Sequence, residues 1–264
     1  MFGISPALLS STSGTLWTPA DIVTKLWLDA SDSSTVTLDS GKVSVWADKS
    51  GNGNDFSQST AGARPGMTTL NSLDALDFDG TDDYLSAGSA LLSNAMAMYI
   101  VSKPVRESTI GSLIDQYDGA YSDATLCLTN DKDDGTVATG QLLYWNNTST
   151  DGAGYDGRIK SFDYGSNVFL FGVDHTSATE GVNIYKNGAL QDTGTMATVD
   201  THPNTKLGNF NDTNFMHGQI AEVIIAGNHA TATRQKVEGY LAHKWGFAGD
   251  LDAGHPYKSA PPTI

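Results

Sequence analysis

The stretch "GVNIYKNGALQDTG" (Gly181–Gly194) decides the class of fold. Asn187-Gly188 stands between two short runs with strand-like side chains, Val182–Lys186 and Leu190–Thr193. A two-residue Asn-Gly loop fits a type I′ turn, which needs positive φ at both central residues and matches the twist of paired strands. The segment is therefore read as a β-hairpin. On its C-terminal side "TKLGNFN" (Thr205–Asn211) leads into "FMHGQIAEVIIAG" (Phe215–Gly227), where Ile220, Val223 and Ile225 mark a buried strand. On its N-terminal side "SLIDQYD", "TLCLTND", "QLLYWNN", "IKSFDYG" and "NVFLFGVDHT" follow one another at ten- to twenty-residue spacings between residues 112 and 176. Short runs of β-formers bounded by turn residues at such spacing predict an all-β sandwich.

Earlier segments agree. "DALDFDG" (Asp74–Gly80) alternates, with Leu76 and Phe78 on one side and Ala75, Asp77 and Asp79 on the other. "KVSVWAD" (Lys42–Asp48) sets Val43, Val45 and Ala47 against Ser44 and Trp46. "AMAMYIVSKP" (Ala95–Pro104) is continuously apolar, as a central strand can be. About twelve strands are expected. One stretch breaks the pattern: in Thr231–Gly246, Val237, Tyr240, Leu241 and Trp245 fall on one face of a helix. Thr231 or Thr233 is expected to cap its start and Gly246 to end it. His243 and Lys244 suit the dipole of its last turn, and Arg234 with Glu238 is read as a modest pair on an exposed face. Trp27, Trp46 and Trp245 are read as core.

Composition narrows the function. The chain has 264 residues, 28 of them Gly, so many tight turns fit one large domain. We divide it into an irregular arm at 1–24, in which Thr18 and Pro19 open a short helical turn, and one domain at 25–264 with a helix at 231–246 and a tail at 247–264. Net charge is −15, and only four of the 30 acids are glutamate: Glu107, Glu180, Glu222 and Glu238. A field of that sign repels nucleic-acid phosphates and anionic membranes, so neither is an expected partner. Cys127 is the only cysteine, which excludes an intrachain disulfide. The start "MFGISPALLSSTSGTLW" lacks the basic region of a signal peptide, and no run reaches the ~18 apolar residues of a membrane span.

Three segments together resemble a known family. "ALDFDGTDDYL" (Ala75–Leu85), the hairpin with "LGNFNDTNFMHGQIAEVIIAG" after it, and the ending "VEGYLAHKWG…LDAGHPYKSAPP" resemble the laminin-G-like, concanavalin A-type jelly rolls of tailed-phage virion and marine bacterial surface proteins. The resemblance covers about residues 25–262. It implies a two-sheet antiparallel β-sandwich with one C-terminal amphipathic helix, whose concave face or rim binds saccharides or protein partners, sometimes through Ca²⁺.

Each chemistry has its own pattern. Glucanases on such folds carry two glutamates in Glu-x-Asp-x-Glu on one strand, which sets acid and nucleophile ~5.5 Å apart. No two glutamates of this chain are close in sequence, so no catalytic residues are assigned. "TLDSGKVSVW" (Thr37–Trp46) departs from a sialidase Asp-box, because Trp46 comes two residues late. The six histidines show no i, i+4 pair, which argues against a zinc site. Ca²⁺ is the one candidate cofactor: it wants several oxygen ligands from loops, and the acidic rims supply them. The preferred ligands are Asp82 or Asp83 together with Asp212, on the condition that those rims meet. Sugar recognition needs aromatic platforms flanked by polar groups. The segment Gln141–Arg158 offers Tyr144, Trp145, Asn146, Asn147, Tyr155, Asp156 and Arg158.

The expectation is a non-enzymatic virion structural protein on a phage tail or capsid surface. It would bind host surface polysaccharide or neighbouring virion proteins, as a homo-oligomer within an assembly. The alternatives are a free carbohydrate-binding or adhesion module and, third, a glycoside-active enzyme.

Overall fold

The computed structural model describes residues 14–93, 95–105, 111–116, 124–129, 141–146, 158–163, 167–176, 181–195, 202–210, 212–227 and 230–264. Its strands are β1 (Thr24–Asp29), β2 (Val36–Asp39), β3 (Lys42–Trp46), β4 (Phe56–Ser57), β5 (Gly66–Leu70), β6 (Leu73–Asp79), β7 (Leu85–Ala87), β8 (Met96–Pro104), β9 (Gly111–Gln116), β10 (Ala124–Thr129), β11 (Gln141–Asn146), β12 (Arg158–Asp163), β13 (Phe169–His175), β14 (Gly181–Lys186), β15 (Ala189–Thr195), β16 (Thr205–Leu207), β17 (Asn209–Phe210), β18 (Asn214–Phe215) and β19 (His217–Ala226). One α-helix, α1, spans Thr231–Lys244. All pairings are antiparallel. An eight-stranded sheet runs β15-β14-β13-β8-β19-β6-β5 with β1 beside β19, and a nine-stranded sheet runs β12-β11-β10-β9-β16-β7-β4-β3-β2. The chain is thus an all-β sandwich with one C-terminal helix, as expected. The strands beyond the expected twelve include the two-residue pieces β4, β17 and β18, too short to show a periodic pattern.

The hairpin forms as its turn dictates. Asn187 and Gly188 take φ of 49° and 78°, and β14 pairs with β15. In β6, Leu76 and Phe78 are buried between the sheets while Asp77 and Asp79 are exposed. In β3 the expected alternation fails. Val43 and Trp46 are buried and Val45 is not, because Ser44 is an extra residue opposite Thr37–Leu38. A one-residue bulge moves every later side chain to the other face.

Two cores result. One lies between the sheets, with Trp46, Phe56, Phe78, Ile114, Tyr144 and Phe171 among its members. The other lies on the outer face of the eight-stranded sheet, where Tyr99, Val101, Ile224 and Trp27 meet Val237, Leu241 and Trp245 of α1. That sheet is therefore apolar on both faces, which explains the unbroken apolar runs of β8 and β19. Trp27, Trp46 and Trp245 are all buried, as expected.

The ends of the helix are made differently from expectation. Its N-cap is Ala230 and no side chain caps it, so neither Thr231 nor Thr233 has that role. Gly246 does end it, with φ of 73°, and the Phe247 N–H to Ala242 carbonyl bond of 2.9 Å closes a Schellman-type turn. Arg234 and Glu238 are buried rather than exposed. Arg234 Nη1 donates to Glu238 Oε1 at 2.6 Å, and its guanidinium stacks 3.9 Å above the Tyr185 ring. His255 of the tail lies 3.1 Å from Glu238 Oε2 and packs against the Asn187-Gly188 turn, leaving no room for a Cβ on Gly188. Tyr257 crosses Gly239 so closely that a Cβ there would lie 2.5 Å from its own Cβ. Further on, Trp17 N–H bonds the Pro262 carbonyl and Ile264 N–H bonds Thr15. The Pro-rich tail thus lies along its own domain, tied to the buried Trp17 and to the 3-10 turn Pro19–Asp21 that the sequence indicated.

Candidate functional site

The nine-stranded sheet has one face in the core, and its register separates two rows. Ile159, Tyr144, Leu126, Ile114, Leu207 and Leu85 are successive partners across β12, β11, β10, β9, β16 and β7. Those whose side chains are described, Tyr144, Ile114, Leu207 and Leu85, are all core. The alternate row runs Arg158, Trp145, Thr125, Asp115, Lys206, Ser86, Ser57, Val45 and Thr37. Its described members are polar except Val45. Thr37 and Ser57 are exposed and Ser86 half-buried, whereas Asp115 and Lys206 are buried side by side, and Lys206 pairs with Asp212.

The residues expected to bind sugar divide across this arrangement. Tyr144 is no platform. It sits in the core row, fully buried, edge-to-face with His175 at 6.4 Å, because strand alternation aligns it with Ile114 and Leu207. Trp145 and Arg158 are register partners in the alternate row, and Asn146 ends β11 opposite Ala124. Asn147, Tyr155 and Asp156 lie outside the described residues. Asp115 and Lys206 were missed by sequence reading. Their signal was the alternation of β9 and β16, which is visible only once the pairing is known.

The acidic rim is the loop from β6 to β7. One carboxylate oxygen from each of Asp79, Asp82 and Asp83 lies within 4.8 Å of the other two. Asp79 Oδ1 accepts from Thr81 N–H at 2.8 Å, and Asp83 Oδ2 accepts from Asp79 N–H at 3.2 Å. Burial, with the charge of Asp79 and less of Asp82, pushes Asp83 up to about 6 against the pull of Lys42. Asp212 is not a member of this group. Its carboxylate is bound to Lys206 instead, so the expected pairing of Asp82 or Asp83 with Asp212 gives way to one with Asp79.

Two further polar groups lie beneath the helix. Glu222, fully buried, accepts from Trp27 Nε1 at 2.8 Å, Trp245 Nε1 at 2.7 Å, Lys244 Nζ at 2.7 Å and Tyr240 O–H at 3.2 Å. Burial raises its pKa, Lys244 opposing and Asp29 adding. Asp29 is also pushed up by burial, but Lys244, Ser31 and Lys49 outweigh that and hold it below its ordinary range. Nearby, Asp174 is raised to about 6 by burial, with Arg234 opposing and Glu238 adding. Both described glutamates are thus bound into structural networks; Glu107 and Glu180 lie outside the described residues. A cavity of about 330 Å³ opens between Leu16, Trp17, Tyr240 and Pro261. Its walls are apolar, and the Lys244 ammonium at its edge is already committed to Asp29 and Glu222.

The sequence matches no protein-family model and no curated protein. The fold, however, is similar to several solved structures. Domain 4 of AbnA, a GH43 extracellular arabinanase from Geobacillus stearothermophilus in complex with arabinotriose, superposes with a TM-score of 0.53 at 15% identity, over 79% of this chain and 95% of that one. The botulinum neurotoxin type G receptor binding domain gives 0.54 at 12% identity, over 84% and 51%. An arabinofuranosidase complexed with arabinofuranosyl-alpha-1,2-xylobiose gives 0.53 at 18% identity, over 81% and 58%. The chain spans nearly all of the arabinanase domain but only about half of the neurotoxin fragment. At such identities these likenesses concern the fold alone, a two-sheet antiparallel β-sandwich.

Proposed function

We infer that this chain is a non-catalytic glycan-binding module whose binding surface is the solvent-facing part of the alternate row of the nine-stranded sheet and the rim beside it. The observation that carries this reading is the asymmetry of the two sheets. The eight-stranded sheet has one face in the core and the other packed beneath α1, whereas the nine-stranded sheet carries a polar row opposite its core row. Sugars present hydroxyls to polar side chains and C–H faces to aromatic rings, and this row contains Trp145 between Arg158 and Thr125. The likeness in fold to an arabinanase domain solved with arabinotriose and to part of an arabinofuranosidase complexed with an arabinofuranosyl-xylobiose supports the reading by analogy. The commitment of Glu222 and Glu238 to buried networks supports a binding role over hydrolysis. Placement on a phage particle rests on the sequence resemblance alone and is a narrower proposal within this one.

A glycan array probed with the purified full chain tests the reading, with Trp145→Ala alongside. The expected result is a set of bound glycans that the variant no longer retains. Silence across a broad array, arabinan, xylan and sialylated glycans included, would overturn it.

A further inference from the structure

We propose that Tyr84 is the aromatic platform of a second sugar-binding patch, on β7, β4, β3 and β2, and that this patch takes an uncharged glycan chain. The proposal rests on the glycan-binding reading above and adds to it a residue and a substrate class.

The placement follows from strand alternation. Residues 83–87 run buried, half-buried, buried, half-buried, buried, so Tyr84 and Ser86 lie on the side opposite Leu85 and Ala87, which are core. Ser86 is the register partner of Ser57, Ser57 of Val45, and Val45 of Thr37, which carries the same face across to the edge strand. Thr37 and Ser57 are exposed and Val45 is half-buried. In the other direction the row closes, because Lys206 and Asp115 are buried. Trp145, beyond them, lies four strands from β7, about 19 Å away at the usual strand spacing. The two ends of the row are therefore separate patches.

Tyr84 is uncommitted. Among the described tyrosines, Tyr99 and Tyr144 are buried, Tyr185 lies under the Arg234 guanidinium, Tyr240 donates to Glu222 and Tyr257 packs edge-on to His255. The described tryptophan side chains are buried. Tyr84 is half-exposed, and neither its hydroxyl nor its ring has a hydrogen-bond, aromatic or cation partner among the described residues. Its backbone is nevertheless fixed on both sides. Tyr84 N–H donates to the Ala63 carbonyl at 3.1 Å, and Gln58 Nε2 donates to the Tyr84 carbonyl at 3.3 Å. Arg64 ties the same corner, donating to the Gln58 and Ser59 carbonyls at 2.8 Å and 3.1 Å. A half-exposed ring on a fixed backbone is pre-organised to stack on the C–H face of a sugar. The hydroxyls of Ser57, Ser86 and Thr37 bond no described protein group and are open to sugar hydroxyls.

Charge chooses the class of sugar. The described cations of this corner already face acids: Arg64 pairs with Asp39, Lys206 with Asp212, and Lys42 acts on Asp83 through its field. Asp79 and Asp82, just ahead of Tyr84, are exposed acids, and the whole chain carries −15. A carboxylated or sulfated sugar would enter a field of its own sign. An uncharged chain meets no such repulsion.

The test is electrophoresis of the full chain through native gels cast with linear arabinan, xylan or polygalacturonate, comparing wild type, Tyr84→Ala, Tyr84→Phe and Trp145→Ala. The expected result is retardation of the wild type by an uncharged polysaccharide and not by polygalacturonate. Tyr84→Ala should weaken that binding about tenfold or more, as loss of an aromatic anchor does, at an unchanged melting temperature. Tyr84→Phe keeps the ring and should retain most of the binding. Retardation lost in Trp145→Ala but unchanged in Tyr84→Ala would overturn the platform and leave the glycan reading standing. Retardation by polygalacturonate as strong as by the uncharged gels would overturn the substrate class. A wild type that no gel retards would count against the platform and the glycan reading together.

Discussion

Asp29 and Glu222 stand directly opposite each other in the β1–β19 ladder, and the Lys244 ammonium lies 2.6 Å from the first and 2.7 Å from the second. Two carboxylates facing each other across a ladder repel. Here Lys244 at the end of the helix bridges both, Lys49 adds a second cation on Asp29 at 2.9 Å, and the indoles of Trp27 and Trp245 with the Tyr240 hydroxyl donate to Glu222. The helix is thus locked to the sheet by charge as well as by apolar packing. This also settles the role of a basic last turn that a helix dipole alone would explain.

Lys244→Met therefore takes the cation from the buried Glu222 and leaves it opposed to Asp29, which keeps Lys49. Breaking a buried pair in this way costs about 3–5 kcal/mol. For a domain of this size that is a fall in melting temperature of roughly 6–20 °C. Thermal unfolding at pH 7 measures it. Adding Asp29→Asn to the variant should recover part of the loss, and a single variant as stable as wild type would refute the role given to Lys244.

Asp174 makes stability depend on pH. Its folded pKa of about 6 lies above its ordinary 3.8, so the folded state binds this proton more tightly than the unfolded chain does. Its favourable contribution is present in full below about pH 4 and is lost as pH rises through about 6. Asp174→Asn removes that dependence. The stability of the variant relative to wild type should rise between pH 4 and pH 7 by about 1–3 kcal/mol. Denaturant titrations of both proteins at several pH values would show it, and parallel profiles would contradict it.

Gly239→Ala should behave against the usual rule. Alanine in a helix interior ordinarily stabilises by roughly 0.5–1 kcal/mol. Here the new Cβ meets Tyr257 Cβ at 2.5 Å, so the tail must shift. The expected outcome is a net loss of about 1–3 kcal/mol, as for overpacking elsewhere, with faster proteolytic cleavage after the helix. Tyr257→Ala in the same chain should relieve the clash and reduce the loss.

Much of this fold was legible in the sequence because its signals are local. Asn187-Gly188 fixes a turn, Leu76 and Phe78 fix a face, and Val237, Leu241 and Trp245 fix a buried stripe. The nine-stranded sheet was harder to read, because three of its strands, β4, β7 and β16, are too short to alternate and one bulge at Ser44 reverses the side on which Trp46 lies. The pair Arg234–Glu238 reads alike whether exposed or buried. What buries it is Tyr185 and His255, which come from a strand and from the tail. The site residues divided for the same reason. Tyr144 and Trp145 are adjacent in sequence, and only the pairing of β11 with its neighbours shows that Tyr144 belongs to the core row. Asp79, Asp82 and Asp83 stand in one acidic run, "DFDGTDD", so their association was legible, while the approach of their carboxylates depends on the turn made by Gly80.

Where a bound oligosaccharide sits on the sandwich is read by following backbone amide shifts in NMR during titration with a glycan drawn from the array. Binding at this face shifts amides clustered on β4, β7 and β11, around Ser57, Ser86 and Trp145. Shifts confined to α1 and the tail, or no shifts at all with any array ligand, would contradict it.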